Sequence, residues 1–365
     1  MNVVVKIGTT SVTDVHGAID PTAVEKLCTE VAALRGAHHR VVVVSSGAIS
    51  AGLPALGLSG ARPTDLATLQ AVSAVGQHRL MRVYEDALSR HGLVAGQVLL
   101  APLDFVNRSQ YLHARQTLGR LLDLGVVPVV NENDAVADDE IRFGDNDRLA
   151  ALVAHLISAD VLVLLTDTEG MFTADPRIDA EASLIDEIVE VDAALEAAAG
   201  SSSDARGSGG MASKLAAARI AAWSGVTAVI AGAARAGILQ AAVNGEQGVG
   251  TVVRPRDRRL SARKLWIAFA VGSSGRITVD AGARDALIGS GRSLLPAGVV
   301  SAIGTFGLDD AVEVVGPDDQ VFAKGLARHP VARVQEWAGR RSADLPTDTA
   351  PVIIHRDDMV VLTAT

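Results

Sequence analysis

Residues 126–152 read VVPVVNENDAVADDEIRFGDNDRLAAL. The first five form an apolar run of buried-strand length, and from Arg148 onward the apolar positions recur at helical spacing. Between strand and helix stand Asn131, Glu132, Asn133, Asp134, Asp138, Asp139, Glu140, Asp145, Asn146 and Asp147. An ionised carboxylate without a partner is too costly to bury in an apolar core, so this group is expected to face water, a cation or a ligand. Polar residues gathered at the C-terminal end of a strand stand where α/β sheets bind their ligands. The plain alternative is a solvated acidic loop.

Further strand, small-residue turn and helix units lie on either side. Residues 3–7 (VVVKI) lead into Gly8-Thr9-Thr10-Ser11, and residues 41–44 (VVVV) lead into Ser45-Ser46-Gly47-Ala48. Backbone N–H groups in such turns can approach an anion closely. Lys6 closes the first strand and either snorkels outward or meets a negative ligand. Asp20 and Pro21 are the cap and first position of a helix over 21–35. Helices are also expected over 63–90, 109–124 and 148–157, with a strand over 94–100. The run 161–165 (VLVLL) reads as a strand buried on both faces, with Thr166-Asp167 at its tip. Asp167 there holds a ribose or cation, or caps the next turn.

Residues 181–199 read as partly helical. The loop 200–210 (GSSSDARGSGG) then enters a helix over 215–223 through Met211-Ala-Ser-Lys214. A glycine-rich loop at a helix N-terminus is a phosphate cradle or a plain linker, and the P-loop pattern GxxxxGK[ST] is absent. Lys214 opposes the helix dipole there unless something negative stands nearby. A strand over 226–230 and a short helix over 238–243 follow. The run 254–264, with five arginines and one lysine, is expected to be a solvated connector. Beyond residue 275, short alternating segments at 277–280, 294–300, 311–315 and 352–354 suggest a small β-rich domain.

The 365 residues fit two domains: 1–253, a linker over 254–274, and 275–365. Hydrophobic residues make up 48% but aromatics only 3%, which points to an α/β fold with parallel strands covered by alanine-rich helices. The net charge is −9, and 275–365 carries nine Lys and Arg against twelve Asp and Glu. That balance argues against nucleic acid held through phosphate contacts. With one cysteine and no HExxH there is no zinc or disulfide framework. Without a signal peptide or membrane-length apolar run, a cytoplasmic protein is expected.

Taken together, VVKIGTT, VVVVSSGAIS, VVPVVNENDAV, RFGDND, VLLTDTEGMFTADPR and GSGGMASK resemble the glutamate 5-kinase branch of the amino-acid kinase family, and SLLPAGV through HRDDM resembles a PUA domain. The resemblance implies an open αβα sandwich with a mainly parallel sheet, followed by a PUA-like domain. It also implies transfer of the γ-phosphoryl of ATP to the side chain of L-glutamate, the first step of proline biosynthesis. Ser46, Asp134 and Asn146 would hold glutamate. Lys6, Thr166, Asp167, Ser208, Gly209, Gly210, Met211, Ala212, Ser213 and Lys214 would contact ATP. Lys6 and Lys214 would stabilise the transferring group, with Asp147 orienting both. Mg²⁺ would arrive with ATP, with no protein metal site of its own. Feedback inhibition by proline and a homo-oligomer, dimer or tetramer, are implied as well. The alternatives are a relative acting on another carboxylate or on carbamate, and an RNA-binding protein using the C-terminal domain.

Overall fold

The apolar runs do pair into one sheet. In the computed structural model, which describes residues 1–14, 16–58, 63–136, 146–176, 178–200, 210–257, 259–345 and 351–362, contacts divide the chain into Met1–Leu260 and Ser261–Thr365. The first unit holds β1 (Asn2–Lys6), β2 (Arg40–Val44), β3 (Ala95–Leu100), β4 (Val127–Glu132), β5 (Val161–Thr166), β6 (Glu187–Ile188), β7 (Thr227–Gly232) and β8 (Thr251–Val253). They lie in the order β3-β4-β2-β1-β5-β7-β8-β6. Every neighbouring pair is parallel except β7 with β8. Valine dominates the central strands because its branched side chain suits a pleated surface covered on both faces. Each fully buried Val or Leu contributes about 1.5–3 kcal/mol of transfer free energy.

Around the sheet run α1 (Thr9–Val12), α2 (Pro21–Gly36), α3 (Ala48–Gly52), α4 (Leu66–Ser89), α5 (Leu103–Val106), α6 (Arg108–Asp123), α7 (Asn146–Leu156), α8 (Ala193–Gly200), α9 (Met211–Trp223) and α10 (Ile238–Asn244). Side chains alternate across a strand. On one face Val3, Val5, Val41, Val43, Val161 and Val163 pack with residues of α2, α4 and α10. On the other, α7 and α9 pack on each other and on β1, β5 and β7. Asp20 caps α2 through Thr22 N, and Asp65 caps α4 through Thr68 N. Helices α3 and α4 meet backbone to backbone. A Cβ on Gly76 would lie 1.8 Å from Ala48 O, so only glycine permits that contact.

Two expectations change here. Helix α7 starts at Asn146, not Arg148, and β4 extends through Glu132. Asn131, Glu132, Asn146 and Asp147 are therefore buried, because hydrogen bonds and ion pairs inside the fold replace the water they were expected to face. Residues 137–145, which include Asp138, Asp139, Glu140 and Asp145, lie outside the described residues. The basic run is also paired, not merely solvated. Arg254 bonds Glu187, Arg256 bonds Glu190 and lies 4.2 Å over the Trp223 ring, and Leu260 N donates to Trp223 O.

The second unit contains α11 (Ala262–Leu265), a π-helical turn (Trp266–Ala270), β9 (Gly275–Val279), α12 (Ala281–Ser290), β10 (Val299–Gly304), β11 (Ala311–Val315), β12 (Val321–Ala327), α13 (Val331–Trp337) and β13 (Ile354–Val361). Its strand order is β10-β9-β11-β12-β13, with β9 and β11 parallel and the other pairs antiparallel. The strand expected over 294–300 is a bridge at Leu294 and a 3-10 turn over Pro296–Gly298, because proline removes a ladder donor. Strand β10 begins only at Val299. Asp358 is buried and takes Arg263 at 2.8 Å and Arg328 at 3.1 Å, which ties α11 to β12 and β13 within this unit.

Candidate active site

The β1 register sets Lys6 opposite Val44 of β2 and Leu164 of β5, at the C-terminal ends of the three central strands. Its side chain is 3% exposed, and Nζ lies 2.5 Å from Oδ1 of Asp147. Lys214, from α9, places its Nζ 3.3 Å from Oδ2 of the same carboxylate, and Ser213 Oγ donates to Oδ2 at 2.7 Å. Asp147 is fully buried in the first turn of α7, where a negative charge complements the helix dipole. Burial alone would push its carboxyl up. The Lys6 and Lys214 ammonium groups prevail and hold it below the usual carboxylate range. The negative neighbour that Lys214 requires at a helix start is therefore Asp147. Gly8 passes close by, and a Cβ added there would stand in van der Waals contact with the Lys6 ammonium, 3.6 Å away.

A second polar set begins one strand away. Gly47, at φ +104°, takes the left-handed conformation that turns the chain from Ser46 into α3. Asn146 Nδ2 then reaches Ser45 O at 2.6 Å, Asn131 Oδ1 at 2.6 Å and Ser46 Oγ at 3.2 Å. Asn131 Nδ2 donates to Gln77 Oε1 at 2.8 Å, and its Oδ1 also accepts from Glu132 N. Asp134, in a 3-10 turn after β4, accepts from Ser73 Oγ at 2.8 Å. Asn146 and Asp147 are adjacent on α7, so the two polar sets share one helix start.

The residues expected at the nucleotide fall in three places. Lys6, Ser213 and Lys214 meet at Asp147. Thr166 and Asp167 line a cavity of about 350 Å³ with Ile7, Thr10, Ser11 and Lys26. Met211 lines a separate hollow with Thr168, Phe172 and Ala198. Gly210 caps α9, and Ala212 is exposed in its first turn. Ser208 and Gly209 lie outside the described residues. Of the residues expected at glutamate, Ser46 and Asn146 touch directly, and Asp134 joins them through α4. The sequence reading missed Ser73 and Gln77, and gave Asn131 no role. Their signal was polar residues on the helical face that continues into buried Leu80 and Tyr84.

Such a site can hold an anion against two ammonium groups beside a cluster of amides, hydroxyls and a carboxylate. Comparison with known proteins adds the relatives. The amino acid kinase family model matches residues 1–232, and the PUA domain model matches residues 275–347. The glutamate 5-kinase of Pelobacter propionicus is 44% identical over 99% of this chain and 97% of its own length. That of Frankia casuarinae is 46% identical over 99% and 96%, and that of Moorella thermoacetica 43% over 98% and 96%. Among solved structures, carbamate kinase from Giardia lamblia bound to AMP-PNP matches with a TM-score of 0.52 and 17% identity, over 70% of this chain and 98% of that one. At that identity the likeness concerns the fold alone.

Proposed function

Since this chain belongs to the amino acid kinase family and, within it, to the glutamate 5-kinases, we propose that it transfers the γ-phosphoryl of ATP to the side-chain carboxylate of L-glutamate. The observation that carries the mechanism is the meeting of Lys6 and Lys214 on Asp147. A phosphoryl group in flight spreads negative charge over its equatorial oxygens and requires positioning more than covalent help. Two preorganised ammonium groups in a water-poor site supply that stabilisation with little reorganisation. Asp147 holds both lysines in place.

The glutamate side chain, with an ordinary pKa of about 4.3, is already ionised at neutral pH, so no general base is required. Its oxygen forms the new bond to phosphorus while the bond to the β-phosphate oxygen breaks, giving glutamyl 5-phosphate and ADP. Asp134 supplies the anionic partner for the substrate ammonium. The Asn146 amide nitrogen is committed to Ser45, Ser46 and Asn131, which leaves its oxygen and the Ser46 hydroxyl for the substrate. Thr166, Asp167 and residues 208–214 serve ATP.

Oxygen donors suited to Mg²⁺ stand at the cavity lip, namely exposed Asp167 and the hydroxyls of Thr10 and Ser11, whereas the Asp147 oxygens already face ammonium groups. Bound with the nucleotide, the ion would supply further positive charge against the phosphates. The product enters proline biosynthesis. The reading carries with it a cytoplasmic location, a homo-oligomer and inhibition by proline. No helix among the described residues is long and apolar enough to cross a membrane.

The test is ADP release with L-glutamate, L-aspartate, N-acetylglutamate and carbamate as acceptors. Glutamate is expected to exceed N-acetylglutamate and carbamate by at least about a hundredfold in kcat/KM, since they leave polar groups of the site unpaired, and aspartate, one methylene shorter, by at least about tenfold. Equal or better turnover with any of the others would refute the assignment.

A further inference from the structure

One face of helix α4 carries three polar side chains that bond three residues of two segments, the end of β4 and the end of β2. Ser73 Oγ donates to Asp134 Oδ2, Gln77 Oε1 accepts from Asn131 Nδ2, and Tyr84 Oη shares a hydrogen bond with Ser45 Oγ, each at 2.8 Å. Ser73 and Gln77 are one helical turn apart, and they are 4% and 8% exposed. Their helix cannot drift away from the Ser46 turn without losing the glycine contact between Gly76 and Ala48.

The hydrogen bonds also fix which way each amide points. Asn131 Oδ1 accepts from Glu132 N and Asn146 Nδ2, so its Nδ2 faces Gln77 and requires an oxygen there. Gln77 meets that requirement, and its own Nε2 is buried with no hydrogen-bond partner among the described residues. A methionine of similar length would remove that unpaired donor but leave Asn131 Nδ2 without its acceptor. The oxygen of the amide at this position therefore serves to orient Asn131.

We propose that Gln77 and Ser73 are positioning residues of the amino-acid subsite. Gln77 sets the orientation of Asn131 and through it Asn146, while Ser73 fixes the carboxylate of Asp134, so that the subsite is ordered before glutamate arrives. The proposal rests on the reading that Asp134 and Asn146 hold glutamate.

The experiment is steady-state ADP release by the full-length enzyme and its Gln77→Met, Ser73→Ala, Asn131→Ala and Gln77→Met/Asn131→Ala variants, with melting midpoints measured alongside. Gln77→Met and Ser73→Ala should each raise KM for glutamate about tenfold, the scale of one lost polar contact, with KM for ATP and kcat within about twofold. The Gln77→Met enzyme should melt close to wild type, because it exchanges one unpaired buried donor, Gln77 Nε2, for another, Asn131 Nδ2. In the Asn131→Ala background Gln77→Met should have no further effect on KM for glutamate, because the two act in series. Ser73→Ala removes one oxygen and keeps a good helix former, so it decides the question if the methionine variant does not fold. An unchanged KM for glutamate would overturn the proposal, as would equal rises for both substrates or additive effects of Gln77→Met and Asn131→Ala. A wild-type enzyme inert toward glutamate would instead sink the functional reading, and this proposal with it.

Discussion

The Lys6 ammonium lies 2.5 Å from Oδ1 of Asp147, with both side chains almost wholly out of water. Desolvating the two charges is costly, and their attraction repays the cost only while both partners are present. Asp147→Asn keeps the shape but leaves the Lys6 and Lys214 ammonium groups without the carboxylate between them. The expected loss is about 3–5 kcal/mol of stability, the cost of breaking a buried pair on one side. Urea denaturation measures it, and a loss below about 1 kcal/mol would place the pair in the class of exposed ion pairs.

Asp134 bears on one substrate only. Replacing it with alanine removes the proposed partner of the substrate ammonium and leaves the Lys6 and Lys214 contacts untouched. KM for glutamate should rise by about ten- to a hundredfold while KM for ATP stays within about threefold. Equal rises for both substrates, measured by varying each in turn, would remove Asp134 from the ammonium.

His155 gives the protein a pH dependence of its own. Burial, and then the positive charges of Arg115 and Arg259, push its imidazole down to about 4 from an ordinary 6.5. Between those values the unfolded chain takes the proton and the folded chain does not, so stability is lost as pH falls through that window. The loss approaches about 3 kcal/mol at the bottom of it. Urea midpoints taken from about pH 7 down to about pH 4.5 should fall in the wild type and stay flatter in His155→Leu. Parallel curves would show that His155 titrates normally.

The central strands were legible because they are bare apolar runs. Residues 3–7, 41–44 and 161–165 needed no tertiary information, and Asp20-Pro21 announced its helix. Of the candidate site, Lys6 and Lys214 stood out by their places at a strand end and a helix start, whereas the roles of Asp134, Asn146 and Asp147 came from the family resemblance. Their burial was not legible. Asn131 and Asn146 satisfy each other across segments that meet only in the fold, and Gln77 and Ser73 enter through a helix whose stripe is mainly hydrophobic. In the second unit, β12 escaped because Lys324 and Gly325 interrupt its apolar pattern. Lys324 is nevertheless buried, with its ammonium on Val271 O. That partner lies outside the strand.

The second lysine is the more direct probe of phosphoryl transfer, since Asp147 and Lys6 can pair without it. Lys214→Met keeps the stem and removes the charge, and Asp147 keeps Lys6 as a partner, so the fold and both binding sites should survive. If Lys214 meets the phosphoryl group mainly in the transition state, kcat for ADP release with glutamate should fall by at least about a hundredfold, with both KM values within about threefold. A variant with wild-type kcat, whatever its KM values, would contradict the claim that the paired ammonium groups around Asp147 exist for phosphoryl transfer.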